Sequence, residues 1–269
     1  MKQQLKSDSM PTTIKVLKKK KLSKGIMFAG LPGIGLVGKI VLDYLMKELK
    51  TEKIAEIYSD SFPPSVHSKK GLIELIKDEL HYHKNGKNEY IFLSGPVQPI
   101  IDFRQGSAAE HYEFAEKIIE SVKAMGVKEI YTLAGLNIGE KRLESAPRVV
   151  CTATNEKILN EFEKFGAVKE KHEGLISGAA GLILGIGAEH GIQGACLMGE
   201  TNSSLIYGDP GSAKALLELL IKKHKFKVKM DKIDSEAKEI EKTFKAMEKQ
   251  VESLSAQQET DEGPLKYVI

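Results

Sequence analysis

At 269 residues the chain is long enough to bury a full core without disulfides, and one large α/β domain with appendages is the expected organisation. Forty Lys and Arg against 37 Asp and Glu leave a formal charge of +3, too near balance to imply a nucleic-acid or anionic-membrane partner. Cys151 and Cys196 lack C-x-x-C spacing and fit a reducing compartment, and no stretch reads as a signal peptide or membrane span, so a cytoplasmic protein is expected.

Residues 1–11 read as a disordered tail ending at Pro11. Short strands are expected over Thr12–Leu17 and Gly25–Ala29, the second running into FAGLPGIGLVGKI at 28–40. From Ile34 onward Val37, Ile40, Val41, Tyr44, Leu45 and Leu49 recur at helical spacing, so a glycine turn opens an amphipathic helix. A strand over Ile54–Ser59 then closes a β-α-β unit, whose crossover implies a parallel pair. Leu72–Ile76 and Glu79–His83 lead through Asn85-Gly86 to Glu89–Leu93, a hairpin signal that makes the sheet mixed. A helix over Ala108–Met125, strands over Glu129–Ala134 and Arg148–Ala153, and a helix over Glu156–Phe165 follow.

Positions 174–201 hold eight glycines in 28 residues with no polar run, which predicts a tightly packed helix bounded by Gly191 and a short buried strand at Ala195–Met198. Asp209-Pro210-Gly211 starts the next helix, carrying Leu216, Leu217, Leu219 and Leu220. The last element has the clearest period. Ile233, Ala237, Ile240, Phe244, Met247, Val251 and Leu254 alternate spacings of four and three, an a/d stripe on a helix capped by Asp231 that reads as a self-association surface. The expected organisation is therefore a tail over 1–11, an α/β domain over 12–230, an oligomerisation helix over 231–256, and a flexible segment over 257–269 with an apolar tip.

Gly33-Ile34-Gly35-Leu36-Val37-Gly38 spells G-x-G-x-x-G between a strand and a helix, and Asp60 lies 22 residues beyond Gly38, near where a dinucleotide site places its acidic residue. A nucleotide-binding α/β enzyme is the runner-up reading on that basis. The preferred one makes Gly33, Gly35 and Gly38 a structural turn that lets helix press on sheet, because the later hairpin interrupts the regular β-α-β series and no G-K-[ST] follows. His81 and His83 share a strand face without the Cys, Asp or Glu that would complete a metal site, and His190 follows Glu189 at a helix end. The runs Lys18–Lys21 and Lys222–Lys225 read as solvated faces. Asp102-Phe103-Arg104 and Glu200-Thr201 read as turn and cap residues, and no G-x-S-x-G is present. No catalytic constellation, metal or cofactor is expected.

The segments AGLPGIGLVGKIVLDYL (29–45), PPSV (63–66), LSGPVQPI (93–100), AGLNIGE (134–140) and EGLISGAAGLILGIGAEHGIQGACLMGET (173–201) resemble, in order and interval, the archaeal proteasome assembly chaperone family. The resemblance covers roughly residues 14–226. It implies a mixed sheet flanked by helices with a topology like that of nucleoside phosphorylases, no catalytic activity, binding to proteasome α-subunits or the core particle, and homo-oligomers with extending C-terminal segments. It also implies that the tip is the partner contact, through a hydrophobic-tyrosine-any tripeptide that inserts between α-subunits. Here Leu265, Tyr267, Val268 and Ile269 would form that contact, with Tyr267 third from the end instead of second and Lys266 before it. If Tyr267 keeps its place, the carboxylate falls one residue, about 3.3 Å, further along.

Overall fold

Met27, Phe28 and Ala29 are all buried although neighbours in a strand point to opposite faces, so this strand must be covered on both sides. The computed structural model describes residues 12–99, 109–171, 173–235 and 237. In chain order the elements are β1 (Thr13–Val16), β2 (Gly25–Ala29), α1 (Val37–Glu48), β3 (Glu52–Tyr58), β4 (Val66–Lys69), β5 (Leu72–Leu75), β6 (Asp78–Asn85), β7 (Asn88–Ser94), α2 (Ala109–Met125), β8 (Val127–Asn137), α3 (Lys141–Glu144), β9 (Val149–Ala153), α4 (Glu156–Glu163), β10 (Val168–Lys169), α5 (Gly178–Glu189), β11 (Gln193–Thr201) and α6 (Pro210–His224). Nine strands form one mixed sheet in the order β1-β3-β6-β7-β2-β8-β11-β9-β10, and β4 and β5 pair by themselves.

The central quartet β7, β2, β8 and β11 runs parallel, while β6 and β1 run antiparallel to their neighbours and β9 is antiparallel to β11 but parallel to β10. One face packs on α1, α4 and α6 through Val37, Leu42, Leu45, Phe162, Leu216 and Leu220. The other packs on α2 and α5 through Phe114, Ile118, Ile119, Ala179 and Ile183. Both cores consist largely of side chains removed entirely from water, and each such aliphatic or aromatic residue stabilises the fold by about 1.5–3 kcal/mol.

The pairing departs from the expected β-α-β unit. β3 runs in the same sense as β2, yet β7 and β6 lie between them, so the crossover through α1 skips two places and the two strands are not partners. The hairpin turn is Gly86-Lys87, with Asn85 opposite Asn88, one residue later than Asn85-Gly86, because Gly86 (φ 62°) takes the left-handed corner itself. Leu72–Leu75 does not join that hairpin and pairs with Val66–Lys69 instead. β8 and β11 extend to 11 and 9 residues, longer than their apolar centres suggested, because each is paired along its length with the other. The short α3 and β10 have no periodic signal in the sequence.

After α6 the chain doubles back. Phe226 joins the rings of Phe28, Tyr90, Phe92 and His224, and the Tyr44 hydroxyl donates to the carbonyl of Lys229 (2.9 Å). Ile233 is fully buried and Ala237 nearly so, both within this one chain, and Lys214 pairs with Asp234 at 2.8 Å. The first two positions of the stripe are therefore used on their own body. Ile240, Phe244, Met247, Val251 and Leu254, and the tip Leu265, Tyr267, Val268 and Ile269, lie outside the described residues, as do 1–11 and Asp102-Phe103-Arg104.

Candidate functional site

The C-terminal ends of β2, β8 and β11 meet at one end of the sheet, where open α/β sheets place ligands. The glycine turn sits there. Residues Ile34–Leu36 form a single 3-10 turn before α1, with Gly35 at φ 59° and Leu36 at φ 49°, so the α-helix starts at Val37 instead of Ile34. A Cβ on Gly38 would stand 2.1 Å from the main-chain oxygen of Leu133 in β8, and one on Gly35 would stand 2.4 Å from the Thr201 hydroxyl in β11. Both positions require glycine for the close approach of helix and sheet, and Gly35 also for its backbone. Gly33 differs. It is extended (φ −157°) and nothing lies within 4 Å of where its side chain would be, so it carries no such constraint.

Behind the turn lies a polar network out of contact with water. Asp209 caps α6 by accepting from the Ser212 amide (3.0 Å), and its carboxylate takes two bonds from Arg142, from Nε at 2.8 Å and Nη2 at 2.9 Å. The Thr201 hydroxyl donates to the same carboxylate at 2.9 Å, and the Asp209 amide donates to the Gly35 carbonyl at 2.8 Å. A neighbouring pair joins Arg148 to Glu200, whose carboxyl burial would raise but the Arg148 hydrogen bonds and charge hold below its ordinary range. Glu200 and Thr201 thus serve structure at a strand end. The cap at Asp209 is legible in Asp-Pro-Gly, whereas its partner Arg142 is 67 residues away and no local pattern announces it.

On the other side of the turn is a cavity of about 420 Å³. Its walls include Leu31, Leu133, Leu136, Ile176, Ile183 and Met198, and none of its described lining residues carries a charge. A pyrophosphate there would find no lysine or arginine among them. Nor is the acidic partner of a dinucleotide in place: Asp60 follows β3, three strand spacings or about 14 Å across the sheet from β2.

The remaining polar candidates are engaged in the fold. His81 contacts the Thr51 hydroxyl (3.0 Å) and Glu79 (2.9 Å), and His190 pairs with Glu116 at 2.6 Å. Burial pushes the Cys151 and Cys196 thiols up to about 12 and about 11, so neither is poised as a nucleophile. Among the described residues no group of His, Cys, Asp and Glu could hold a metal ion, and no helix is long and apolar enough to cross a membrane. Lys18 and Lys20 pair with Glu52, and Lys223 with Glu161.

Comparison with known proteins turns on the segments that build this end of the sheet. The PAC2 family model matches residues 27–248, from β2 through every helix of the body. The chain belongs to the PAC2 family. An uncharacterised protein of Methanocaldococcus jannaschii is 32% identical over 251 residues, 92% of this chain and 93% of that one. Among solved structures, Pyrococcus furiosus PbaB, an archaeal proteasome activator, is 34% identical, with 88% of this chain and 99% of PbaB covered at a TM-score of 0.79. PbaA of the same organism, a homolog of proteasome-assembly chaperone, shares the fold at 24% identity and a TM-score of 0.68, covering 93% of this chain and 97% of PbaA. The large mixed sheet flanked by helices is thus the arrangement this chain shares with these solved structures.

Proposed function

We propose that this PAC2 protein is a non-enzymatic, homo-oligomeric adaptor that binds proteasome α-subunits in the cytoplasm and assists assembly or docks on the core particle. The observation that carries the reading is the likeness to PbaB, a proteasome activator, over nearly the whole of both chains at 34% identity. Two features of the site support a binding role over catalysis: the glycine turn is held against Thr201 and Asp209 of its own chain, and the described lining of the adjacent cavity presents no charged group.

In this reading Leu265, Tyr267, Val268 and Ile269 are the contact with the α-subunits. An extended end offers a carboxylate, an aromatic ring and apolar side chains at little ordering cost per contact. Ile240, Phe244, Met247, Val251 and Leu254 carry self-association on a helix continuing to residue 256, Ile233 and Ala237 having been used by the body. Joined copies present several tips together, which raises their effective concentration at a multi-subunit partner. The test is co-purification of α-subunits with the full chain and with a chain ending at Pro264. Retention by the full chain and loss by the shortened one is expected. Equal retention removes the role of the tip, and failure of both removes the proteasome partner.

A further inference from the structure

The two lysine runs, at 18–21 and 222–225, are far apart in the chain but come to the same end of the body. β7, β2 and β8 run parallel and start at the end opposite the glycine turn. Residues 17–24 cross that end to enter β2: the Leu22 amide donates to the Met125 carbonyl at the end of α2 (2.7 Å), and the Gly25 amide to the Gly126 carbonyl (3.1 Å). The Gly86-Lys87 turn between β6 and β7 lies there too. Beside it the Asn85 side-chain amide donates to the carbonyls of His224 and Lys225, both at 3.2 Å, where α6 ends. Four segments thereby build one surface.

On it Lys21, Lys24, Lys84, Lys87, Lys123 and Lys225 are exposed, and none has an ion-pair partner among the described residues. Most acidic side chains of this end are engaged within it. Glu52 pairs with Lys18 (2.6 Å) and Lys20 (2.8 Å), and Glu161 with Lys223. Glu89, opposite Lys84, accepts from the Tyr82 hydroxyl (3.0 Å) and the Ser23 amide (3.1 Å), and Glu129 accepts from the Tyr131 hydroxyl. Glu48, Glu156 and Glu189 stand further out, at the ends of α1 and α5 and the start of α4. The whole chain carries only +3, so this excess is charge segregated by the fold. Lys123 and Lys225 complement the carbonyl ends of α2 and α6. Lys21, Lys24, Lys84 and Lys87, on a loop and a hairpin, have no such structural role.

We propose that this end is a docking face for an acidic protein surface, one that presents clustered Asp and Glu. Its chemistry favours carboxylates over a nucleic acid. Arg142 and Arg148, the arginines among the described residues, are both at the glycine-turn end, paired with Asp209 and Glu200, so the lysine face offers a phosphate no guanidinium fork. α1, α2 and α6 end here and present carbonyls instead of amides. The nearby rings give a base no platform either, Tyr82 lying under Lys20 and Phe226 being buried. Ammonium groups on long stems suit the dispersed carboxylates of a folded surface. The face also stands clear of the terminal segment. α6 starts against the glycine turn, where the Asp209 amide meets the Gly35 carbonyl, and Lys214 in its second turn pairs with Asp234, so the chain has returned to that end by its last described residues. In the adaptor reading, a partner held by the terminal segment leaves this face open to a second protein.

The test uses the full chain and a fluorescent peptide of about ten glutamates, with a single-stranded DNA of about ten nucleotides as the comparison. The assay does not involve the terminal segment, so its outcome is independent of the α-subunit reading. The peptide is expected to bind at low salt and to be released as salt rises. Lys84→Glu with Lys87→Glu, and separately Lys21→Glu with Lys24→Glu, should each weaken binding at least tenfold with unchanged circular dichroism. Lys169→Glu with Lys171→Glu, exposed at the β10 edge of the sheet, should leave it within about twofold. A loss shared equally by all three pairs overturns the assignment of this face, and absence of peptide binding at low salt overturns the proposal outright. DNA bound more tightly than the peptide marks a nucleic-acid surface and overturns it as well.

Discussion

Arg142 and Asp209 form a two-pronged ion pair at 3% and 0% side-chain exposure, and Asp209 simultaneously holds the amide of Ser212, the hydroxyl of Thr201 and, through its own amide, the carbonyl of Gly35. One residue therefore ties α3, α6 and β11 together through its carboxylate and the glycine turn through its amide. Removing its charge partner leaves an uncompensated buried charge, which costs about 3–5 kcal/mol. Arg142→Ala is expected to lower the unfolding free energy measured by urea titration by that amount. Arg142→Lys should restore only part, since an ammonium cannot reproduce the parallel bonds of the guanidinium.

The three glycines of the turn should separate sharply on substitution. Gly38→Ala drives a methyl into the Leu133 main-chain oxygen and should cost about 1–3 kcal/mol in thermal unfolding. Gly35→Ala meets both a left-handed backbone and the Thr201 side chain, so its loss should be at least as large. Gly33→Ala should change stability by no more than about 0.5 kcal/mol. Equal losses at all three would contradict the packing account of this loop.

How much of this was readable in advance follows from where each signal resides. The helix of Val37–Glu48 and the strand of Gly25–Ala29 have local periodicity, and the tight contact at Gly38 follows from a glycine at a helix start. The place of β3 was hidden because nothing in Glu52–Tyr58 says that β6 and β7 will occupy the positions beside β2. Strand order is a property of long-range pairing, and a β-α-β pattern specifies sense without adjacency. The hairpin of Val66–Leu75 misled for a related reason: Leu72, Ile73 and Leu75 look like core, yet they are exposed. Hydrophobicity marks what should be buried, not which molecule buries it. Arg142 was invisible because a buried ion pair between distant residues has no spacing.

Asp78 is fully buried at the start of β6, and burial pushes its carboxyl well above the usual range, opposed by the Val97 amide and Lys39 and reinforced by Glu79. A folded-state pKa raised above the unfolded one means that stability is greatest below the unfolded value near 3.9 and is lost as pH rises toward the folded value. Asp78→Asn removes that loss. It is expected to raise the melting temperature at pH 7 and to flatten the stability profile on the alkaline side, with little effect at pH 3.

His224 shows the opposite sense. It sits edge-on to Phe28 with ring centroids 5.1 Å apart, and burial, then the charge of Lys223, lowers its pKa to about 3. The unfolded chain binds a proton there below about 6.5 that the folded chain refuses, so stability is full above that pH and falls between about 6.5 and 3. Glu56, held at about 2 by Lys77 and Lys53, and Glu79, held at about 2 by His81 and Lys53, lose their contributions only as pH drops through 4.5. The difference between the chain and His224→Phe in unfolding free energy titrated from pH 7 to 5 isolates this histidine, because Asp78, raised by burial, and His83, lowered by burial, contribute to both, and the variant should lose the fall in stability that His224 adds in that interval.

The insertion of β6 and β7 beside β2 also sets a timetable for synthesis. Gly25 pairs with Glu89 on one side and Val127 on the other, so the central strand emerges from the ribosome long before either neighbour exists. At about 5–20 residues per second, Met27 and Phe28 wait about 5–20 s for both partners. Until β8 is made, the nascent chain holds its most apolar strand open to any passing hydrophobic surface. A ribosome that stalls before residue 127 leaves β2 without its β8 neighbour.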